Sequence, residues 1–253
     1  MLATYRTGPE TGTPLLIAHG LFGSARNWGA IIRSLSQSRP VLTVDMRNHG
    51  DSPRAPRHGY EEMAADLAEV IVTHGGQADV LGHSMGGKAA MMLALTRGEL
   101  VSRLIVADIS PVPYDHGQMA LVRAMQAVDL TGIALRSEAD GRLSGAVPDP
   151  GVRAFLMQSL DLKAVPPRWR LNLGVLALEM DRILGWPDTV GQFDGPTLFL
   201  SGGESDYVLP KYRAATRELF PKARFAKIPG AGHWLHAEKP NDFSAAVEAA
   251  LTD

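Results

Sequence analysis

Ser84, His233 and one of two aspartates have the residue types of a nucleophile, its base and the base's orienting acid. Ser84 lies in Gly82-His83-Ser84-Met85-Gly86-Gly87, directly after Asp79-Val80-Leu81. The G-x-S-x-G pattern places a serine on a sharp turn between a strand and a helix, a nucleophile elbow. The elbow strains its serine's backbone, so residues two before and two after must approach closely. A Cβ at Gly82 or Gly86 would clash. A helix opening at Met85 would aim free N–H groups and its positive dipole end at the space above Ser84, where an oxyanion would form. The pattern also arises by chance in a chain with 26 glycines. The same stretch approaches a phosphate-binding P-loop, but that loop needs Ser or Thr after its lysine to hold magnesium. Ala89 follows Lys88 here.

A serine hydroxyl needs a base at neutral pH. The chain has eight histidines. His233 sits in Pro229-Gly230-Ala231-Gly232-His233-Trp234, a flexible loop late in the chain that can carry an imidazole back over a sheet edge. His83 is expected to pack beneath the elbow, His19 to fix its own loop and His236 to be structural. His49, His58, His74 and His116 have no supporting context.

The base needs a carboxylate. A common spacing for that acid, G-x-x-D-x-x-V, would put it at 205, where Ser205 stands. Asp206 is one residue off. Asp108, at the end of the strand after the elbow helix, is the favoured candidate, with Asp206 the alternative. Ser205 is expected to hydrogen-bond near His233. Of the two oxyanion donors that acyl transfer needs, Met85 supplies one. The loop His19-Gly20-Leu21-Phe22-Gly23-Ser24 supplies the other, through Leu21 first and Phe22 second.

The elements that must position these residues alternate. Buried strands read at 15–18, 41–45, 80–81, 104–108, 196–200 and 223–228. Helical patterns read at 27–35, 60–74, 85–95 and 243–251. Near-continuous apolar strands between helices call for a mostly parallel sheet covered on both faces. Residues 112–190 hold no convincing strand. Their helical patterns are Leu121/Met125/Val128, Val152/Phe155/Leu156/Leu160 and Trp169/Leu173/Leu176/Met180/Ile183. The chain is therefore expected to divide into a core at 1–111 and 191–253 and a helical cap at 112–190. The Met, Trp and Phe residues of the cap either line an acyl pocket or pack the cap onto the core, with core packing favoured for any one of them.

At 253 residues and 45% hydrophobic, the chain suits one large α/β domain with an insertion. No run reaches the ~18 apolar residues that span a bilayer. Residues 1–6 lack the charged-then-apolar pattern of a signal peptide, so the expected location is cytoplasmic. Without cysteine, disulfides, thiol catalysis and thiolate metal sites are excluded. A net charge of −2 with interspersed signs points away from nucleic acid and anionic membranes. No metal-binding motif appears, and no metal or cofactor is expected. The expected partner is a small-molecule acyl substrate, and the expected state a monomer or small homo-oligomer.

Taken together, these residues resemble the α/β-hydrolase superfamily across nearly the whole chain. The closer likeness is to YbfF-type bacterial esterases and their mitochondrial abhydrolase relatives. The likeness rests on His19-Gly20-Leu21-Phe22-Gly23-Ser24, on Asp45-Met46-Arg47-Asn48-His49-Gly50-Asp51-Ser52 and on the elbow. It rests also on Asp108-Ile109-Ser110-Pro111 and on the stretch from Gly232-His233-Trp234 to Lys239-Pro240. The R-N-H-G-x-S and D-I-S-P stretches are more specific than the elbow. The resemblance implies the chain order serine, acid, histidine and favours Asp108, because similar members carry Gly-Gly-x-Ser where Gly202-Gly203-Glu204-Ser205 stands. It implies hydrolysis of small acyl esters or thioesters through an acyl-enzyme. Perhydrolase, carbon–carbon hydrolase and lyase chemistries use the same triad, and a ligand receptor could retain it inert. Relatives with an aspartate at the elbow, dehalogenases and epoxide hydrolases, are disfavoured by Ser84.

Overall fold

Strands that are apolar on both sides need cover on both sides, and the computed structural model supplies it. It describes residues 1–115 and 117–252; His116 lies outside the described residues. The strands are β1 (Thr4–Thr7), β2 (Leu15–Ala18), β3 (Val41–Val44), β4 (Ala78–His83), β5 (Val101–Ala107), β6 (Leu160–Asp161), β7 (Arg168–Trp169), β8 (Thr197–Gly202) and β9 (Ala223–Ile228). The first helices are α1 (Gly29–Leu35), α2 (Tyr60–Thr73), α3 (Met85–Thr96), α4 (Gln118–Ala127), α5 (Arg136–Leu143) and α6 (Pro150–Met157). The rest are α7 (Leu173–Leu178), α8 (Met180–Leu184), α9 (Arg213–Leu219), α10 (Leu235–Glu238) and α11 (Pro240–Thr252).

Among the described residues, seven strands form one sheet in the order β1-β3-β2-β4-β5-β8-β9. Only β1 runs antiparallel. Side chains alternate across a strand, so the sheet feeds two cores. Leu16, Leu42, Val80, Val106 and Phe199 face α2, α3 and the segment between β5 and β8. Leu15, Ile17, Leu81, Ile105 and Leu200 face α1 and α11. The order reverses direction beside β2, where β3 lies on one side and β4 on the other. In parallel sheets the carboxyl ends at such a point form a crevice. Register levels the strand ends there, with Ala18 opposite Gly82, His83 opposite Ala107 and Ala107 opposite Leu200.

The insertion departs from the sequence reading in two places. Residues 112–190 do contain strand, the two-residue antiparallel pair β6 and β7, and Leu160 of the second helical pattern belongs to β6, beyond the end of α6. The third helical pattern is not one helix: Trp169 belongs to β7, and α7 and α8 share it out, meeting at Glu179. The apolar spacing records burial, which Trp169, Leu173, Leu176, Met180 and Ile183 share whatever their backbone. Helix α5 and edge strand β1 carry too few buried residues to show a pattern. Residues 27–35 open as a 3₁₀ turn over Ala25–Trp28 before α1 begins.

Lys88, which gave the elbow its likeness to a P-loop, is buried on α3. Its Nζ donates to the carbonyls of Leu184 and Gly185 at 3.0 and 2.5 Å, beside the faces of Tyr60 and Tyr114. A cation at these carbonyls complements the negative end of α8 and ties the insertion to the elbow helix. Burial pulls its pKa down to about 7.

The elbow leaves no room at its flanking glycines. A Cβ on Gly82 would lie 2.2 Å from the Gly86 carbonyl oxygen, and one on Gly86 would lie 2.4 Å from that of Ala18. Both contacts are to backbone, so relief requires α3 to move away from β4 in the first case and from β2 in the second. Gly86→Ala is expected to destabilise the protein by about 1–3 kcal/mol, read as a lowered urea midpoint. An unchanged midpoint would contradict this packing.

Candidate active site

All the candidate residues leave the sheet at its C-terminal edge. Ser84 follows β4 with φ 52° and ψ −120°. This strained conformation is sustained by its surroundings: the Ser84 amide bonds the Ala107 carbonyl at 3.0 Å, and α3 begins at once. Asp108 follows β5, also at positive φ, 53°. His233 follows β9.

The structure brings the three together. Ser84 Oγ lies 3.1 Å from His233 Nε2, and His233 Nδ1 lies 2.7 Å from Asp108 Oδ2. With Nδ1–H donated to the carboxylate, Nε2 is left with a lone pair for the serine proton. Asp108 is fully buried. Its carboxylate also accepts the Gly202 amide at 3.0 Å and the Ser205 hydroxyl at 2.5 Å. Asp206, the alternative acid, is exposed on the same loop, and Asp108 holds the imidazole nitrogen it would have needed. The carboxylate that reaches His233 comes from the end of the neighbouring strand β5. Ser205 fills the usual position and serves the acid instead.

The loop carrying His233 is held from three sides. His83 lies beneath, as expected, and its Nε2–H donates to the His233 carbonyl at 2.9 Å. Glu238 accepts the amides of Gly232 and Trp234 at 2.7 and 3.2 Å. The Tyr207 ring stacks on the imidazole with centroids 4.0 Å apart. Sequence reasoning assigned no role to Glu238 or Tyr207. Glu238 was legible in principle as a carboxylate six residues after Gly232, whereas Tyr207 meets His233 only through the fold. His236 stacks on Trp28 at 4.3 Å and His74 bonds the Val70 carbonyl, both structural placements.

Of the oxyanion candidates, Met85 occupies the first position of α3, whose amide has no acceptor within the helix. Phe22, the second choice on the other side, is engaged elsewhere: its amide donates to His49 Nε2 at 3.3 Å. Leu21 remains. The Gly20 carbonyl is turned away into its own loop, where His19 Nδ1 and the Gly23 amide bond it at 2.8 and 3.0 Å. Peptide planarity sends the Leu21 amide the opposite way. Gly20 abuts the elbow, since a Cβ there would lie 3.2 Å from Ser84 Cβ.

A cavity of about 240 Å³ opens beside Ser84, with Leu21, Leu121, Val152, Phe155, Tyr207 and Trp234 in its wall. A smaller one of about 30 Å³ lies on the other side, toward Tyr60, Lys88 and Tyr114. Met125, Met157, Trp169 and Met180 of the insertion are buried in the core, so core packing claims them, while Phe155 lines the larger cavity.

Five histidines here are buried. Burial lowers the pKa of His19 to about 4 and of His49 and His236 to about 3. It lowers His58 to about 2 and holds His83 well below the usual range. All five rings are neutral at pH 7.

Residues 15–247 match the alpha/beta hydrolase family. The sn-1-specific diacylglycerol lipase ABHD11 of Mus musculus is 44% identical over 96% of this chain and 82% of that protein. Esterase YbfF of Escherichia coli (strain K12) is 38% identical over 96% of this chain and 95% of its own length. The solved structure of a marine microorganism esterase superposes with a TM-score of 0.94 at 35% identity, covering 98% of each chain. The chain belongs to the alpha/beta hydrolase family.

The buried rings set an acid limit. Each has its folded pKa below the ordinary 6.5, so the unfolded chain binds more protons below that pH. Their stabilising effect is complete above about pH 6.5 and is lost as the pH falls toward 4. Unfolding free energies from urea titrations are expected to drop in this window by up to about 1.4 kcal/mol per pH unit for each ring. A flat profile from pH 7 to 4.5 would contradict this.

Proposed function

We propose that this alpha/beta hydrolase cleaves small carboxylic esters, and acyl thioesters of similar size, through an acyl-enzyme on Ser84. The observation that carries the reading is the unbroken Ser84–His233–Asp108 hydrogen-bond chain at the mouth of an apolar cavity. A lipase and two esterases among its relatives support the reaction class.

In this mechanism Ser84 Oγ attacks the acyl carbon while His233 Nε2 takes its proton. Asp108 keeps Nδ1–H in place and stabilises the imidazolium. The amides of Met85 and Leu21 receive the oxyanion. His233 then protonates the leaving alcohol or thiol. In the second half, His233 deprotonates a water that attacks the acyl-enzyme, and Ser84 leaves with the proton. The segment 112–190 acts as a cap whose residues Leu121, Val152 and Phe155 meet the substrate. No helix among the described residues is long and apolar enough to cross a membrane, and a small diffusible ester suits the cavity.

Ser84→Ala and His233→Ala are expected to lower kcat for a p-nitrophenyl ester by at least about 10³-fold. Asp108→Asn is expected to cost about 10⁴-fold, and Asp206→Asn less than about threefold. Undiminished hydrolysis by Ser84→Ala would overturn the reading, and the reverse order of the aspartate variants would move the acid.

A further inference from the structure

The R-N-H-G stretch at 47–50 has no part in the triad, yet it is buried against the loop that carries Leu21. His49 is 1% exposed. Its Nδ1–H donates to the Arg47 carbonyl at 2.9 Å, which leaves Nε2 as an acceptor, and that lone pair takes the Phe22 amide. Burial keeps the ring neutral, so the lone pair stays available.

Among the described residues, four that are not glycine have positive φ: Phe22 at 65°, Asn48 at 65°, Ser84 at 52° and Asp108 at 53°. Ser84 and Asp108 belong to the triad. Phe22 and Asn48 flank the two ends of one contact, the His49–Phe22 hydrogen bond. A phenylalanine at positive φ is sterically costly and persists only when its surroundings impose it. The peptide groups on either side of residue 21 are both gripped: His19 holds the Gly20 carbonyl and His49 holds the Phe22 amide.

Asn48 secures the grip. Its side-chain Nδ2 faces His58 Nδ1 at 3.2 Å, and its Oδ1 accepts the amide of Ala55 and Nδ2 of Asn172 at 2.8 and 2.9 Å. His58, whose Nδ1 is thereby an acceptor, turns Nε2–H to Met85 Sδ at 3.3 Å. One buried network therefore touches the loop of Leu21 and the side chain of Met85, the two residues whose amides receive the oxyanion in the proposed mechanism.

We propose that His49 is a positioning residue for the oxyanion hole: by accepting the Phe22 amide it holds residue 22 at positive φ and so aims the Leu21 amide at the substrate oxygen. Its effect falls on the transition state, because the donor it aims is used only when the carbonyl oxygen becomes an oxyanion. This rests on ester hydrolysis at Ser84.

Two variants separate the two bonds of His49. His49→Gln places an amide oxygen near the Nε2 position and can still accept from Phe22. His49→Asn reaches only the Nδ1 position and can still donate to Arg47. His49→Asn is expected to lower kcat about 10²-fold with KM changed less than about threefold, and to weaken a trifluoromethyl ketone inhibitor in proportion to the loss in kcat/KM. His49→Gln is expected to regain at least about tenfold of that loss. Circular dichroism melting checks that both are folded at the assay temperature. If His49→Asn is not, His49→Leu, which keeps neither bond, replaces it. Equal losses in the Gln variant and its comparison variant, a loss carried by KM, or unchanged ketone affinity would each overturn the inference. Wild type and Ser84→Ala run alongside: an inactive wild type or an active Ser84→Ala would sink the esterase reading itself, not the role of His49 alone.

Discussion

A carboxylate with no exposed surface must have its charge compensated entirely by the protein, and Asp108 meets that demand with donors from three elements. The Gly202 amide comes from the end of β8, the Ser205 hydroxyl from the loop beyond it, and the His233 Nδ1–H from the loop after β9. Removing any of them leaves part of a buried charge unpaired. The same contacts fix where the imidazole sits and which nitrogen it offers to Ser84. The arrangement of β5, β8 and β9 and the placement of the His233 ring are thus one constraint.

The backbone is strained at the residues that meet His233. Ser84 and Asp108 each leave a parallel strand at positive φ, which bends both side chains over the sheet edge toward the same imidazole. Tight glycine packing at 82 and 86 makes the bend at Ser84 possible. The amide hydrogen bonds from Ser84 to Ala107 and from Asp108 to Leu200 keep the two strand ends level while they bend. The polar network around His19, His49 and His58 extends the same rigidity to the loop on the far side of the elbow.

Much of this was legible in the sequence. The elbow motif, the glycine-rich loop at His233 and the apolar strands each carry a local signal, and they point to Ser84, to His233, which the fold brings within 3.1 Å of it, and to the sheet. Asp108 was favoured because Ser205 stood where an acid commonly stands. What stayed hidden depends on contacts between distant segments. His49 and His58 have no context in the sequence that assigns them a role until the fold buries them against residues 22 and 85. Tyr207 and His233 meet only through the pairing of β8 with β9. The single helix expected across 169–183 is a strand and two short helices, because apolar spacing reports which residues are buried and not how the backbone between them turns.

The segment between β5 and β8 bounds the larger cavity beside Ser84, since Leu121, Val152 and Phe155 form one wall of it, and Lys88 ties the far end of that segment to the elbow helix. The central claim, an activated serine at 84, is tested most directly by intact-protein mass spectrometry after exposure to a fluorophosphonate probe. The expected result is one adduct per chain, located at Ser84 by peptide mapping and absent from Ser84→Ala. A wild-type protein that takes up no adduct, or one labelled elsewhere, would contradict it.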